Sequence, residues 1–202
     1  MVVFNNNIYI FGGFGRRQDN LQEIWYFSLA GGQEKWIQTT FSLPSKLAAF
    51  AYSNINENIY IFGGNKGSGR TNDFIQINLS QAGCLEKKSL SGNIPSPRYW
   101  LNGWIYNNNF IIFGGDSLNG NLNDLYSINL SSYKSKRINI TNNIPSKRNA
   151  YSSIQKDSNV IIFGGFDGRK YLNDFYLLSL NSFQFNQLFL TNDFPTPRLF
   201  VY

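Results

Sequence analysis

The seven residues "NIYIFGG" stand at positions 7–13 and recur letter for letter at 58–64. "NFIIFGG" at 109–115 and "NVIIFGG" at 159–165 complete a set of four. Their second glycines, Gly13, Gly64, Gly115 and Gly165, are separated by 51, 51 and 50 residues. A period of this length restricts the chain to architectures that copy one supersecondary unit, namely solenoids, propellers and arrays. Other landmarks keep the same interval. An acidic residue recurs as Glu23, Asp73, Asp124 and Asp174, with Asn before the last three. A proline recurs as Pro44, Pro95, Pro145 and Pro195, followed by Arg98, Arg148 and Arg198 in three copies and by Leu47 in the first. Independent landmarks held in register exclude coincidence.

Within a repeat the apolar residues follow the two-residue period of a strand. Trp25, Phe27 and Leu29 alternate with their neighbours, as do Ile75, Ile77 and Leu79, then Tyr126, Ile128 and Leu130, then Tyr176, Leu178 and Leu180. The run before each glycine pair, such as Ile8–Phe11 or Ile111–Phe113, is continuously apolar, as in a strand covered on both faces. Upstream lies a shorter apolar segment, "LAAFAY" at 47–52 or "AYSSI" at 150–154, joined to that run by the turn sequences "NINEN" and "QKDSN". A more polar segment before the proline, "RINI" at 137–140 or "QLFL" at 187–190, reads as an outer edge strand. No repeat carries a helical stripe long enough to matter. The expectation is an all-β propeller of four four-stranded antiparallel blades in one domain, 1–202, with repeats at about 1–46, 47–97, 98–147 and 148–202.

Composition narrows the functional classes. Aromatic residues make up 17% and charged residues 15%, which suits a packed β protein rather than a disordered one. Cys84 is the single cysteine, so no internal disulfide is expected. "MVVFNNN" lacks the features of a signal peptide, and no apolar run approaches a membrane span. The expectation is an intracellular, cytoplasmic protein with no membrane association. The net charge of +6 permits attraction to acidic partners, but the basic residues are scattered in ones and twos, which argues against nucleic acid.

The order "IYIFGG", then "NDF" or "NDL", then an outer strand, then "PSPR", "PSKR" or "PTPR", resembles the kelch repeat over the whole chain. Kelch repeats usually carry a Trp in the fourth strand. Here it stands only as Trp36, and counting eight residues back from the other prolines finds Lys87, Arg137 and Gln187, a change expected to loosen the outer strands. The His often found after the arginine is absent, since the chain has no His, and Tyr151 stands at about that place in one copy.

Enzymatic readings fare poorly. The copper-radical oxidases similar to this family need imidazole ligands and a Tyr joined to Cys, which a chain with no His and one Cys does not supply. The same absence removes Ser-His and Cys-His nucleophile systems. Asp73, Asp124 and Asp174 recur blade by blade, as turn residues do and catalytic groups do not, and with Gly12, Gly13, Gly63, Gly64, Gly114, Gly115, Gly164 and Gly165 they form the structural motif. The glycine pairs lack the pattern of a phosphate loop. No catalytic residue, metal site or cofactor is expected.

What the resemblance implies is a protein-protein interaction scaffold. A sugar-processing, epimerase-like kelch enzyme and basic-surface nucleic-acid binding remain as alternatives. The strand order puts the loop after the glycine pair and the proline-arginine turn at one end of every blade. That end collects Arg16, Arg17, Lys66, Arg70, Arg169 and Lys170 from the loops and Arg98, Arg148 and Arg198 from the turns. Arginines matching the second set contact the ligand in kelch proteins that capture acidic peptides, so the resemblance makes them candidates for a partner with an acidic segment. A residue repeated in each blade can equally pair with the recurring Asp. Kelch propellers usually have six or seven blades, so four are expected to leave an open arc with apolar end faces and the capacity for self-association. Tyr202 aligns with Asn102 and Met1 with Gly103, as if the two ends were halves of one first strand.

Overall fold

The computed structural model describes residues 1–16, 19–31, 35–80, 84–189 and 195–199, and among them every regular element is a strand. The first blade holds β1 (Val2–Phe4), β2 (Asn7–Phe14), β3 (Asn20–Ser28) and β4 (Trp36–Ser42), and the second holds β5 (Ala51–Ile55), β6 (Asn58–Phe62), β7 (Phe74–Asn78) and β8 (Cys84–Lys88). The third holds β9 (Ser91–Gly92), β10 (Arg98–Tyr99), β11 (Asn102–Tyr106), β12 (Asn109–Ser117), β13 (Gly120–Asn129) and β14 (Lys134–Ile138). The fourth holds β15 (Ser152–Lys156), β16 (Asn159–Phe166), β17 (Tyr171–Ser179) and β18 (Gln184–Leu188). Each blade is an antiparallel meander, and the third adds two two-residue pieces, β10 against β12 and β9 parallel to β14.

Asparagine makes the tight hairpins between the first and second strands of the first and third blades. Asn5 and Asn6, and again Asn107 and Asn108, take left-handed φ values between 45° and 58°. Two positive-φ residues are what a two-residue hairpin loop demands, and Asn tolerates that region better than other side chains.

The blades pack face to face in series, and the two-residue period decides which residues go where. Tyr60, Phe62 and Phe74 of the second blade meet Phe110, Ile112, Tyr126 and Ile128 of the third. Ile111, Phe113 and Leu125 on the third blade's other face meet Val160, Ile162, Tyr176 and Leu178 of the fourth. Ile24, with half-buried Tyr9 and Phe11, meets Ile59, Ile61, Ile75 and Ile77 between the first two blades. Near the hub, Trp100 N–H donates to Ala49 O and Ala150 N–H donates to Trp100 O, which ties successive first strands together. Among the described residues no buried cluster joins the fourth blade to the first, so the propeller is open.

The outer strands depart from the sequence expectation in two ways. The third and fourth begin three residues earlier, at Lys134 and Gln184, because Ser135 and Phe185 point inward and are 1% exposed. The kelch Trp position was also misplaced. Trp36 pairs with Phe27, and the matching partners of Ile77, Ile128 and Leu178 are Leu85, Ser135 and Phe185, not Lys87, Arg137 and Gln187. Trp36 is eight residues before its proline and the other three are ten before theirs, because the link from β4 to Pro44 is shorter than its counterparts, and the two extra residues that β4 carries between the partners of Glu23 and Trp25 offset this only in part. Of these four positions only Ser135 is thinned, and among the described residues its buried hydroxyl has no hydrogen-bond partner.

Candidate partner-binding face

The glycine pair and the proline-arginine turn meet at one end of each blade through main-chain bonds. Gly13, Gly64, Gly115 and Gly165 donate N–H to the carbonyls of Leu47, Arg98, Arg148 and Arg198 at 2.8 to 3.0 Å. The N–H groups of those four residues go to Leu21, Thr71, Leu122 and Leu172 of the same preceding blade. The glycine just before each donor has no room for a side chain: at Gly63, with φ of 71°, a Cβ would lie 2.6 Å from Arg98 O. The recurring Asn serves the same turn, as Asn72, Asn123 and Asn173 donate to the carbonyls of Pro95, Pro145 and Pro195.

The arginine side chains then cross into the next blade. Arg98 and Arg148 are fully buried. Arg98 holds both carboxylate oxygens of Asp124 at 2.5 and 3.0 Å and donates to Gly114 O, Ser96 O and the Ser96 hydroxyl. Arg148 repeats the set with Asp174, Gly164 and Ser146. A bidentate guanidinium–carboxylate pair with its remaining donors satisfied is an internal clamp. Of the two readings open for these arginines, pairing with the recurring Asp is the one the geometry contains. As contacts offered to a partner, Arg98 and Arg148 are corrected: burial and saturation take them off the surface. Arg198 differs. Its backbone is docked in the same way, but its side chain is exposed and among the described residues bonds only to Thr196.

In the second blade, where Leu47 replaces the arginine, Asp73 is held instead by Lys66 and Lys87 at 2.6 Å each. Burial works against ionisation of Asp73, but the hydrogen bonds from the two lysines outweigh it and hold the carboxyl below its ordinary range. Arg70 is likewise engaged, with Asp116 at 2.6 Å and its guanidinium 4.6 Å from the centre of the Tyr99 ring. It ties the second blade's loop to the third. Asn20 donating to Asn65 O, and Asn121 donating to Phe166 O, do the same at the other two junctions.

The charges left over are few. Arg16, Arg169 and Lys170 are exposed, and among the described residues their side chains enter no ion pair; Arg17 lies outside the described residues. The loop carrying Arg169 and Lys170 is shaped by Asp167, whose carboxylate accepts both of their backbone N–H groups. Those bonds, from Lys170 first and Arg169 second, hold the Asp167 carboxyl below its usual range. The same loop end exposes Phe14 at 53%, Leu118 at 87% and Tyr171 at 55%. These three escape a reading based on charge, and no repeating pattern in the sequence marks them.

Comparison with known proteins adds the following. The family model described as the KLHDC2/KLHL20/DRC7 Kelch-repeats domain matches residues 81–201. Kelch domain-containing protein 1 of Homo sapiens is 28% identical over 146 residues, covering 67% of this chain and 36% of that protein. Kelch domain-containing protein 2 of Rattus norvegicus is 29% identical over 97 residues, 46% of this chain and 24% of that protein. The Rho GTPase-activating protein gacHH of Dictyostelium discoideum is 32% identical over 130 residues, 61% of this chain and 8% of that protein. The matched region thus spans 36% or less of each of these relatives.

Proposed function

The chain belongs to the kelch-repeat family, and from that premise we propose that it is a non-catalytic scaffold whose loop end receives a partner protein bearing an acidic segment. The observation that supports this reading is the division of labour among the basic residues. Lys66, Arg70, Arg98 and Arg148 neutralise internal carboxylates, whereas Arg16, Arg169 and Lys170 face outward on loops that differ from blade to blade. Residues that repeat build the blade, and residues that do not repeat supply specificity. Phe14, Leu118 and Tyr171 add apolar area beside the charges, the mixture of anchor and rim that interfaces use. The exposed thiol of Cys84 suits a reducing cytoplasm, where we place the protein.

The test is affinity capture with mass spectrometry, comparing the wild type with a variant carrying Arg16→Ala, Arg17→Ala, Arg169→Ala and Lys170→Ala. The expected outcome is loss of an acidic partner with the melting temperature nearly unchanged, since exposed charges contribute little to stability. Undiminished capture of the same partner would move the interaction to another surface, and a turnover of sugar substrates by the purified chain would replace the scaffold reading altogether.

A further inference from the structure

The second and third blades carry the same groove beside their outer strands. In the second blade it is lined by Asp73, Lys87, Leu90 and Ile94 and holds about 370 Å³. In the third the same repeat positions supply Asp124, Arg137, Ile140 and Ile144, and the volume is about 430 Å³. Strand pairing fixes the equivalence, since Lys87 lies opposite Ile75 and Arg137 opposite Tyr126, each two residues before the matched pair Ile77 and Ile128.

The two grooves differ in what becomes of their charges. In the second blade Asp73 has no arginine partner, and Lys87 reaches it at 2.6 Å. In the third, Arg98 already holds both oxygens of Asp124. The cation at the position of Lys87 is left over: Arg137 is exposed, and among the described residues it makes no ion pair or side-chain hydrogen bond. Its own repeat supplies no other carboxylate. Between positions 98 and 147 the cations are Arg98, Lys134, Lys136, Arg137 and Lys147, and the acids are Asp116 and Asp124 alone. Arg70 neutralises Asp116 and Arg98 neutralises Asp124. Lys134, Lys136 and Lys147 are exposed like Arg137, so this rim is uniformly basic. Beside the Arg137 guanidinium the groove is aliphatic. Ile138 and Ile140 rest on the core between the third and fourth blades, and Ile144 is 39% exposed.

We propose that the third-blade groove docks an extended segment of a partner protein in which an Asp or Glu stands beside a large apolar residue. The carboxylate pairs with Arg137, whose planar fork suits two oxygens at once. The apolar side chain lies on Ile140 and Ile144. Lys134, Lys136 and Lys147 attract further acids flanking the pair and speed the encounter. The second blade shows that a cation at this position takes a carboxylate when one is within reach, as Lys87 takes Asp73. The third blade has the cation and the groove but has spent its carboxylate elsewhere. The volume admits a side chain or two, which fits an extended segment rather than a folded domain. None of Arg16, Arg169 and Lys170 takes part, so this site and the loop-end reading can fail separately.

The experiment selects displayed random peptides on the purified chain and measures the enriched sequences, as synthetic end-blocked peptides, by fluorescence anisotropy. Enriched peptides should carry Asp or Glu next to Leu, Ile, Met or Phe. Replacing that acid by its amide, or Arg137→Ala in the protein, should each weaken binding about tenfold. Arg137→Lys should stay within about threefold of the wild type, since a cation at this position is what the carboxylate requires. Ile144→Ala should weaken binding about threefold or more through lost apolar contact. Melting temperatures should be nearly unchanged for Arg137→Ala and Arg137→Lys, because the side chain is exposed and unpaired. Arg169→Ala combined with Lys170→Ala should leave binding as it was. Failure to enrich acidic peptides would overturn the proposal. So would acidic peptides that bind Arg137→Ala as well as the wild type, and their loss with the Arg169 and Lys170 variant would return the acidic ligand to the loop end.

Discussion

Arg148 grips both carboxylate oxygens of Asp174 at 2.7 and 2.8 Å, with its own side chain fully buried and that of Asp174 still 23% exposed. The two partners are unequal, and so are the expected costs of losing them. Asp174→Ala leaves a buried cation without its carboxylate and should cost about 3 kcal/mol or more. Arg148→Leu leaves only a rim carboxylate that water can reach, and the second blade already carries a leucine, Leu47, at the matching position. It should cost distinctly less. Urea unfolding of the two variants measures the difference, and equal losses would show that the clamp is not the asymmetric device its burial implies.

Tyr151 gives the fold an alkaline limit. Its hydroxyl donates to Phe113 O at 2.7 Å across the junction of the third and fourth blades, and burial raises its pKa well above the ordinary value. A raised folded-state pKa means the contribution is intact below about pH 10, where the unfolded tyrosine titrates, and declines as pH rises beyond it. Tyr151→Phe should cost about 1 kcal/mol at neutral pH. Its stability should fall less steeply than the wild type's above pH 10, which chemical denaturation at several pH values would reveal.

Asp73 acts at the other end of the scale. Its lowered pKa makes the contribution present above the unfolded carboxylate value, near pH 4, and lost as pH falls through the folded value. Because Lys87 is 59% exposed and Lys66 32%, Asp73→Asn should cost under about 1 kcal/mol at neutral pH. The gap between variant and wild type should close in acid. A gap that persists at pH 2 would assign the effect to something other than the two lysines.

Ser135 is a place where substitution should help. Its hydroxyl is buried without a partner at the position that Leu85 and Phe185 fill elsewhere. Ser135→Ala removes an unsatisfied polar group and should raise stability by about 1 kcal/mol. A decrease in melting temperature would mean that the hydroxyl contributes through a contact made in solution.

Strand order, blade number and the shared end for glycine and arginine turns were legible because each rests on a pattern that repeats. What does not repeat was hidden. Nothing in the sequence pairs Arg70 with Asp116, since neither belongs to the fourfold set, and so Arg70 read as a free loop charge. Counting back from a proline misses the equivalents of Trp36, because the link from β4 to Pro44 is shorter than in the other blades and the irregular pairing of β3 with β4 only partly makes up the difference. The arginines of the turns recur visibly, but whether a recurring cation faces a ligand or a carboxylate depends on burial, which Arg98 and Arg148 have and Arg198 lacks. Leu118 went unremarked because a lone leucine in a loop carries no pattern at all.

The residue at the head of each repeat belongs by its backbone to one blade and by its side chain to the next. Melting of the fourth blade would strand the Arg148 guanidinium on the third, and loss of the third would do the same to Arg98 on the second, so each step from that direction exposes an ion as well as apolar surface. At the junction of the first two blades the clasp is Leu47, buried to 1% among Leu43, Ile59 and Ile61, and no charge is orphaned when it opens. The arc therefore has a seam. Under native conditions the first blade should exchange its amide hydrogens through a separate, lower-energy opening, while the three that follow behave as one cooperative block.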